Sequence, residues 1–223
     1  MLARLGAIVC LLPVCESLTL SETLVPQTGA VNVYLAPSSK ISPAVTHWMQ
    51  EESGTLMSSA GYQVHWLDPL ERPDAPGTSL IVIELNGACA PAEHSGRPVD
   101  VDRLAFTVVD HGKILPFVTV DCAALQKVLA PALEREPRAR RDVLYGRAMG
   151  RLVAHEMYHI ESQDRGHSRN GVAEAAVSSR ELVSEHFEFA RDALAKLHVP
   201  APAPAPATED GFDTIDTDDS VGR

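Results

Sequence analysis

RLVAHEMYHIESQDRGHS, residues 151–168, contains three of the nine histidines in this chain of 223 residues. His155 and His159 are four residues apart, so on a helix their side chains lie on one face with Cβ atoms about 5–6 Å apart. Two imidazoles at that distance can reach one ion with Zn–N bonds of about 2.0–2.1 Å. The apolar residues between Leu144 and Val153 predict that the helix is buried, which keeps the histidines neutral and favours metal binding. The stretch therefore predicts a metal site on a core helix.

Glu156 follows the first histidine directly and completes the pattern H-E-x-x-H. In this arrangement the metal acidifies a water molecule and the glutamate takes its proton. The spacing therefore predicts His155 and His159 as metal ligands and Glu156 as the general base.

A catalytic zinc ion needs three protein ligands and one open coordination position. Gly166 permits a turn after the helix, and His167 follows at once, which makes His167 the predicted third ligand. Carboxylates supply alternatives, because some H-E-x-x-H enzymes use a glutamate from the next helix: Glu174, Glu181, Glu185 and, nearer to the helix, Asp164. Glu181 is better explained as the acid of a capping box with Ser178, and Glu185 as a solvated residue.

The order of predicted elements is that of a single α+β domain over residues 18–198, with a mixed β-sheet, an active-site helix and a C-terminal helix. Alternating or continuous apolar runs predict strands, and caps with helical spacing predict helices. We expect strands at 31–36, 62–67, 79–85, 104–110 and 114–121, and helices from Ser42 to Gly61, from Cys122 to Ala130, from 142 to 160, and from Ser178 to Leu197. The last two strands flank the turn sequence Asp110-His111-Gly112. Pro131 is expected to end the helix that begins at Cys122.

Several residues of the domain permit more than one interpretation. Cys89 and Cys122 are read either as a disulfide or as two separate buried thiols. The strand at 117–120 is read either as a sheet edge that pairs with an extended peptide or as an internal strand. Tyr158 is expected to pack in the core, and His186 to lie on the buried stripe of the last helix with Leu182, Phe189, Ala193 and Leu197.

The two ends of the chain predict export and a flexible tail. Residues 1–17 carry one arginine and a short apolar run, which is typical of a secretory signal peptide and too short to span a bilayer. Cys15 is the position at which a lipid anchor would be attached. Residues 199–223 are a Pro/Ala-rich spacer and an acidic tail without the apolar residues of a core. The net charge of −11 argues against nucleic acid and against a membrane partner beyond the signal peptide or lipid anchor.

The segment AHEMYHIESQDRGHSRNGV, residues 154–172, resembles the active-site segment of zincin metallopeptidases. It is most similar to an exported bacterial group of uncharacterised members with the pattern H-E-L-x-H, seven residues, then H-S-x-x-G-[IV]. The matching positions are His155, Glu156, His159, His167, Ser168, Gly171 and Val172. The likeness extends through VNVYLAP (31–37), AGYQVHWLD (60–68) and FVTVDCAAL (117–125).

The resemblance implies a zincin-like fold and an exported (periplasmic or secreted) zinc-dependent endopeptidase acting on peptides or proteins. It implies Zn²⁺ on His155, His159 and His167, with Glu156 as general base. The chain departs from related sequences in two places: the third histidine follows at a longer spacing than in metzincins, and Ala173 stands where many relatives carry methionine. Ala173 and the acidic, Pro-spaced tail motivate an alternative function, a secreted zincin-like module that binds metal or a partner without catalysis.

Overall fold

The computed structural model of the chain describes residues 29–37, 40–68, 79–92 and 103–197. The predicted signal peptide at 1–17, Cys15 within it, and the spacer and tail at 199–223 lie outside these residues. The structure is α+β with a mixed sheet and several helices, which confirms the predicted class.

The described residues form seven strands and five helices. The strands are β1 (Gly29–Leu35), β2 (Lys40–Ile41), β3 (Tyr62–Leu67), β4 (Ser79–Asn86), β5 (Ala88–Cys89), β6 (Ala105–Asp110) and β7 (Lys113–Asp121). The helices are α1 (Pro43–Ser59), α2 (Cys122–Leu133), α3 (Arg138–Ser162), α4 (Ser179–Val183) and α5 (Arg191–Leu194).

Five strands form the main sheet in the order β3-β1-β4-β7-β6. The first four are mutually parallel, and β6 runs antiparallel to β7. Alternate residues of the central strands are fully buried, as Val33, Ile81 and Val118 illustrate. The predicted turn between β6 and β7 is confirmed, because His111 and Gly112 both have positive φ, 46° and 83°.

β7 lies between two neighbours, so its residues 117–120 belong to an internal strand. Of the two interpretations of this strand, the sheet edge is therefore wrong. Among the described strands, the edge on this side of the sheet is β6. The strand predicted at 104–110 corresponds to β6. The sequence pattern does not show the order in which strands pair, so it did not predict that β6 lies outside β7.

Two glycines let α3 pack directly against α1. A Cβ atom on Gly146 would lie 2.6 Å from Trp48 Cβ, and one on Gly150 would lie 2.7 Å from the backbone oxygen of Met49. No side chain fits in that space, so the two backbones approach closely. The contact holds α3 against the rest of the core.

The second sheet is small and covalently fixed. β2 and β5 pair in parallel, and a disulfide between Cys89 and Cys122 joins β5 to the first residue of α2. The two Cα atoms lie 4.9 Å apart. The structure therefore selects the disulfide over two separate thiols.

None of the helices in the described residues is long and apolar enough to cross a membrane.

The bounds of two helices differ from those predicted. α2 continues past Pro131 to Leu133. Proline has no backbone N–H, so one helical hydrogen bond is lost there, and the burial of Leu133 compensates for this loss. α3 begins at Arg138 rather than at 142. Its N-cap position is Pro137, which makes no side-chain cap, so the sequence shows no start signal there.

The predicted C-terminal helix from Ser178 to Leu197 is wrong. The capping box of Ser178 and Glu181 forms, but α4 ends at Val183: Ser184 is extended, and its carbonyl oxygen accepts a hydrogen bond from Arg151 on α3. An extended segment follows as far as α5. His186 is exposed rather than part of a buried stripe, whereas Leu182, Phe189, Ala193 and Leu197 are buried as expected.

Candidate metal centre

The last turns of α3 bring the two helical histidines together. The Nε2 atoms of His155 and His159 lie 3.1 Å apart, and the ring centroids lie 4.7 Å apart. The Nδ1 atom of His155 lies 2.7 Å from the carbonyl oxygen of Val172, and that of His159 lies 2.7 Å from the carbonyl oxygen of Asp164.

These contacts fix which nitrogen of each ring carries the proton. A carbonyl oxygen only accepts, so both Nδ1 atoms donate, and in a neutral imidazole the Nε2 atom is then an acceptor. The short distance between His155 Nε2 and His159 Nε2 therefore joins two lone pairs, which cannot hydrogen bond to each other. A cation shared by the two nitrogens satisfies both.

Burial keeps these two rings neutral. Burial first, and then repulsion from His159 and His167, lowers the pKa of His155 to about 4, against the hydrogen bond with Val172. Burial also lowers the pKa of His159, while its hydrogen bond with Asp164 acts in the opposite direction. Only neutral imidazole binds a metal ion, so both shifts favour coordination over protonation.

His167 completes the group from the loop after α3. One ligand atom from each of the three histidines lies within 4.8 Å of the others, so the group could hold a metal ion. The ring of His167 stacks on His155 at an interplanar angle of 23° and stands at 85° to the ring of His159. His159 is buried, His155 is half-buried and His167 is exposed. The predicted three histidines therefore come together at a site that opens to solvent.

Asp164 shapes the loop that carries His167. Its Oδ1 accepts a hydrogen bond of 2.7 Å from the backbone N–H of Gly166, the residue before the histidine. Its Oδ2 pairs with Lys196 Nζ at 2.9 Å. The carbonyl oxygen of Asp164 also accepts a hydrogen bond from His159. Asp164 therefore orients both the histidine on the helix and the turn that leads to His167.

A second part of the loop orients His155. The N–H of Ser168 donates to the carbonyl oxygen of Ala173, and the N–H of Val172 donates to that of Glu188 in the C-terminal segment. These bonds hold Val172, whose own carbonyl oxygen accepts from His155. Gly171 permits the approach: its φ is 77°, and a Cβ atom there would lie 2.2 Å from the oxygen of Glu188.

Glu156 follows His155 directly on α3 and is 5% exposed. It lines a cavity of 370 Å³ together with His155. Burial raises the pKa of its carboxyl group to about 7, against hydrogen bonds from the hydroxyl and backbone N–H of Thr107 and the positive charge of Arg103. The carboxyl group therefore accepts hydrogen bonds from the edge strand β6.

The carboxylates considered as alternative third ligands are outside the histidine group. Glu181 is bound in its capping box, and Glu185 is 77% exposed and lies 3.7 Å from Arg140. The carbonyl oxygen of Asp164 accepts a hydrogen bond from His159, and its carboxylate accepts one from the N–H of Gly166 and pairs with Lys196. Glu174 lines the cavity beside Glu156.

Arg151 supports the site and was missed from the sequence. It is 2% exposed, and its Nε donates to Glu52 on α1 at 2.7 Å. Its other nitrogens donate to the carbonyl oxygens of Glu181 and Ser184 and to the hydroxyl of Ser184. The guanidinium therefore ties the C-terminal segment to α3 one turn before His155. Its polar neighbours are distant in sequence, so no local pattern marks it.

Tyr158 is fully buried and packs against Phe189, which confirms the prediction that it is a core residue. Its ring also lies 5.2 Å from that of His159. The tyrosine thus contributes to the packing behind the histidine group.

Comparison of the chain with models of protein families and with curated proteins finds no match.

Proposed function

We propose that the chain is an exported zinc-dependent endopeptidase with a zincin-like fold. The observation that carries this proposal is the facing pair of Nε2 atoms on His155 and His159, with His167 as third donor and Glu156 in the cavity that His155 also lines. Two Zn–N bonds of about 2.0–2.1 Å at a tetrahedral angle place the nitrogens about 3.3–3.4 Å apart, close to the 3.1 Å between these atoms. An all-imidazole donor set favours zinc over magnesium or calcium.

The histidines would hold the ion, which supplies a Lewis acid that polarises the scissile carbonyl and makes water nucleophilic near neutral pH. Glu156 would take the proton from the attacking water and deliver it to the leaving amine nitrogen. The new C–O bond then replaces the peptide C–N bond. Thr107 holds the Glu156 carboxyl group from β6 during these proton transfers.

The edge strand supports a peptide as the substrate. Leu104, directly before β6, and Ala105, its first residue, line the cavity with Glu156, and Thr107 contacts the Glu156 carboxyl group. An exposed strand edge can bind an extended peptide through backbone hydrogen bonds. β6 would therefore hold a peptide beside the histidines. The apolar run at residues 5–14 supports export.

The test measures bound metal and hydrolysis of a mixed peptide library by the purified protein and by Glu156→Gln. We expect one zinc ion per chain in both proteins and a loss of hydrolysis by about 100-fold or more in the variant, since general bases contribute about 10²–10⁴. Glu185→Gln is the control, because Glu185 is an exposed carboxylate outside the histidine group. Full metal occupancy without hydrolysis in any of the three proteins would contradict the peptidase and favour the metal-binding module without catalysis.

A further inference from the structure

The loop that carries His167 is positively charged. Arg165 and Arg169 stand two residues before and two residues after this histidine, and all three side chains are exposed, whereas Ser168 is buried. Ser168 pairs with Glu174 in a β-bridge, and in such an extended stretch alternate side chains point to the same side. The two arginines therefore flank His167 on the exposed side of the loop.

Both arginines can accept an anionic partner. Within the part of the chain that the structure describes, neither of them forms an ion pair. The adjacent acid, Asp164, is already engaged by Lys196 and by the N–H of Gly166. In a chain whose net charge is −11, the loop is thus a local patch of positive charge, and such a patch attracts anionic groups.

The acidic tail of the chain begins close to this loop. Lys196, the second-last residue of the described range 103–197, pairs with Asp164 at 2.9 Å, and Arg165 is the next residue after Asp164. The tail contains six acids against a single arginine, Arg223. The acids are Glu209, Asp210, Asp213, Asp216, Asp218 and Asp219. The charge of the tail is therefore opposite to that of the loop from whose side it continues.

The intervening residues are long enough for the acids to reach the arginines. Residues 198–208 are rich in proline, and eleven residues of such a linker span about 34 Å. Asp210-Gly211 is a turn sequence. The eight residues from Gly211 to Asp219 span up to about 26 Å when extended, so the acids after the turn can return to within about 10 Å of Leu197.

We propose that the acidic tail, residues 209–219, docks on Arg165 and Arg169 of its own chain and covers the exposed side of the histidine group. Guanidinium groups bind carboxylates through paired, charge-assisted hydrogen bonds. The covalent connection gives the tail an effective concentration in the mM range, so contacts that are individually weak can hold it. The docking itself requires no hydrolysis. Its consequence, that the tail restricts the access of a peptide to the site, rests on the proposed function.

The first test measures binding of the tail as a separate peptide. A fluorescent peptide of residues 208–223 is titrated into the wild-type protein and into a tail-neutral variant, the full-length chain in which the six acids are replaced by their amides. We expect the tail-neutral variant to bind the peptide at least about 10-fold more tightly, because the tail of the wild-type protein competes in cis. Equal binding by the two proteins, or no binding by either, would overturn the proposal.

The arginines are tested in the tail-neutral background. Arg165→Gln combined with Arg169→Gln is expected to weaken binding of the peptide about 10-fold or more. The matched control combines Arg135→Gln with Arg138→Gln, two exposed arginines at the other end of α3, and should bind as before. Equal losses in the two double variants would show unspecific attraction and overturn the assigned surface. Binding that requires added zinc but neither loop arginine would also overturn it.

The occupant and the consequence are tested separately. A wild-type protein that dimerises at low salt, while the tail-neutral variant stays monomeric, would show that the tail binds a second copy and would overturn docking in cis. In hydrolysis of a peptide library, the tail-neutral variant should have a kcat/KM several-fold above that of the wild-type protein, and salt should reduce the difference. Equal kcat/KM values would contradict the restricted access. Absence of hydrolysis in both proteins would contradict the proposed function alone, because the titration decides the docking.

Discussion

Asp164 and Lys196 form an ion pair of 2.9 Å between the loop that carries His167 and the turn after α5. The same aspartate accepts hydrogen bonds from His159 and from Gly166. Residues that hold metal ligands in this way contribute to metal affinity without touching the metal.

Asp164→Ala is predicted to weaken zinc binding about 10- to 100-fold, because the turn before His167 loses its side-chain acceptor. Asp164→Asn should retain most of the affinity, since its Oδ1 can still accept from Gly166. Lys196→Met should cost only a few-fold, because half-exposed ion pairs are weak. Competition with a chelator of known affinity measures all three. Equal losses in the three variants would show that the ion pair, rather than the turn, holds the loop.

The third ligand is tested by His167→Ala. Loss of one of three donors is predicted to lower zinc affinity by more than about 100-fold. This is a larger effect than that of Asp164→Ala, because Asp164 orients the histidines without touching the metal. His186→Ala is the matched control, because His186 is exposed and outside the histidine group. If His167→Ala binds zinc as tightly as the wild-type protein, a carboxylate such as Glu174 must supply the third donor.

Gly171→Ala tests the close approach of the C-terminal segment to the loop. Gly112→Ala should lower the free energy of unfolding by about 1–2 kcal/mol, the cost of positive φ alone, since nothing lies within 4 Å of its Cβ position. Gly171→Ala should cost about 1–3 kcal/mol more, because its Cβ atom would clash with the oxygen of Glu188. Urea denaturation measures both. Equal costs would mean that the segment of Glu188 moves away freely.

Arg151→Met is predicted to lower the free energy of unfolding by about 3 kcal/mol, because it removes one partner of a buried ion pair and leaves backbone acceptors of the C-terminal segment without donors. Arg140→Met is the control: Arg140 forms an exposed pair of 3.7 Å with Glu185, which is worth about 0–1 kcal/mol. Thermal or urea unfolding distinguishes the two. A cost for Arg151→Met no greater than that of the control would remove its structural role.

The sequence predicted those features that short-range physics determines. Ser42 caps α1 by accepting from the N–H of Val45, as expected of serine before Pro43, and the turn at His111 and Gly112 joins β6 to β7. The histidine group was also predicted, because spacing of four on a helix fixes two ligands and Gly166 marks the turn to the third.

Features that depend on contacts distant in sequence were not predicted. The C-terminal helix gives way to an extended segment because Glu188 bonds to Val172 and Arg151 bonds to Ser184. The helical spacing of apolar residues in that segment therefore predicted correctly which of them are buried, but it did not predict the extended backbone. The hydrogen bonds from Thr107 to Glu156 likewise depend on the position of β6 at the sheet edge.

We propose that three imidazoles bind one zinc ion at the end of α3. Zinc X-ray absorption spectroscopy of the loaded full-length protein can test this, since it counts the imidazole nitrogens around the ion. We expect one zinc per chain with three imidazole nitrogens at about 2.0–2.1 Å, and two imidazole nitrogens in His167→Ala. No stoichiometric zinc binding, or a zinc shell unchanged by His167→Ala, would contradict it.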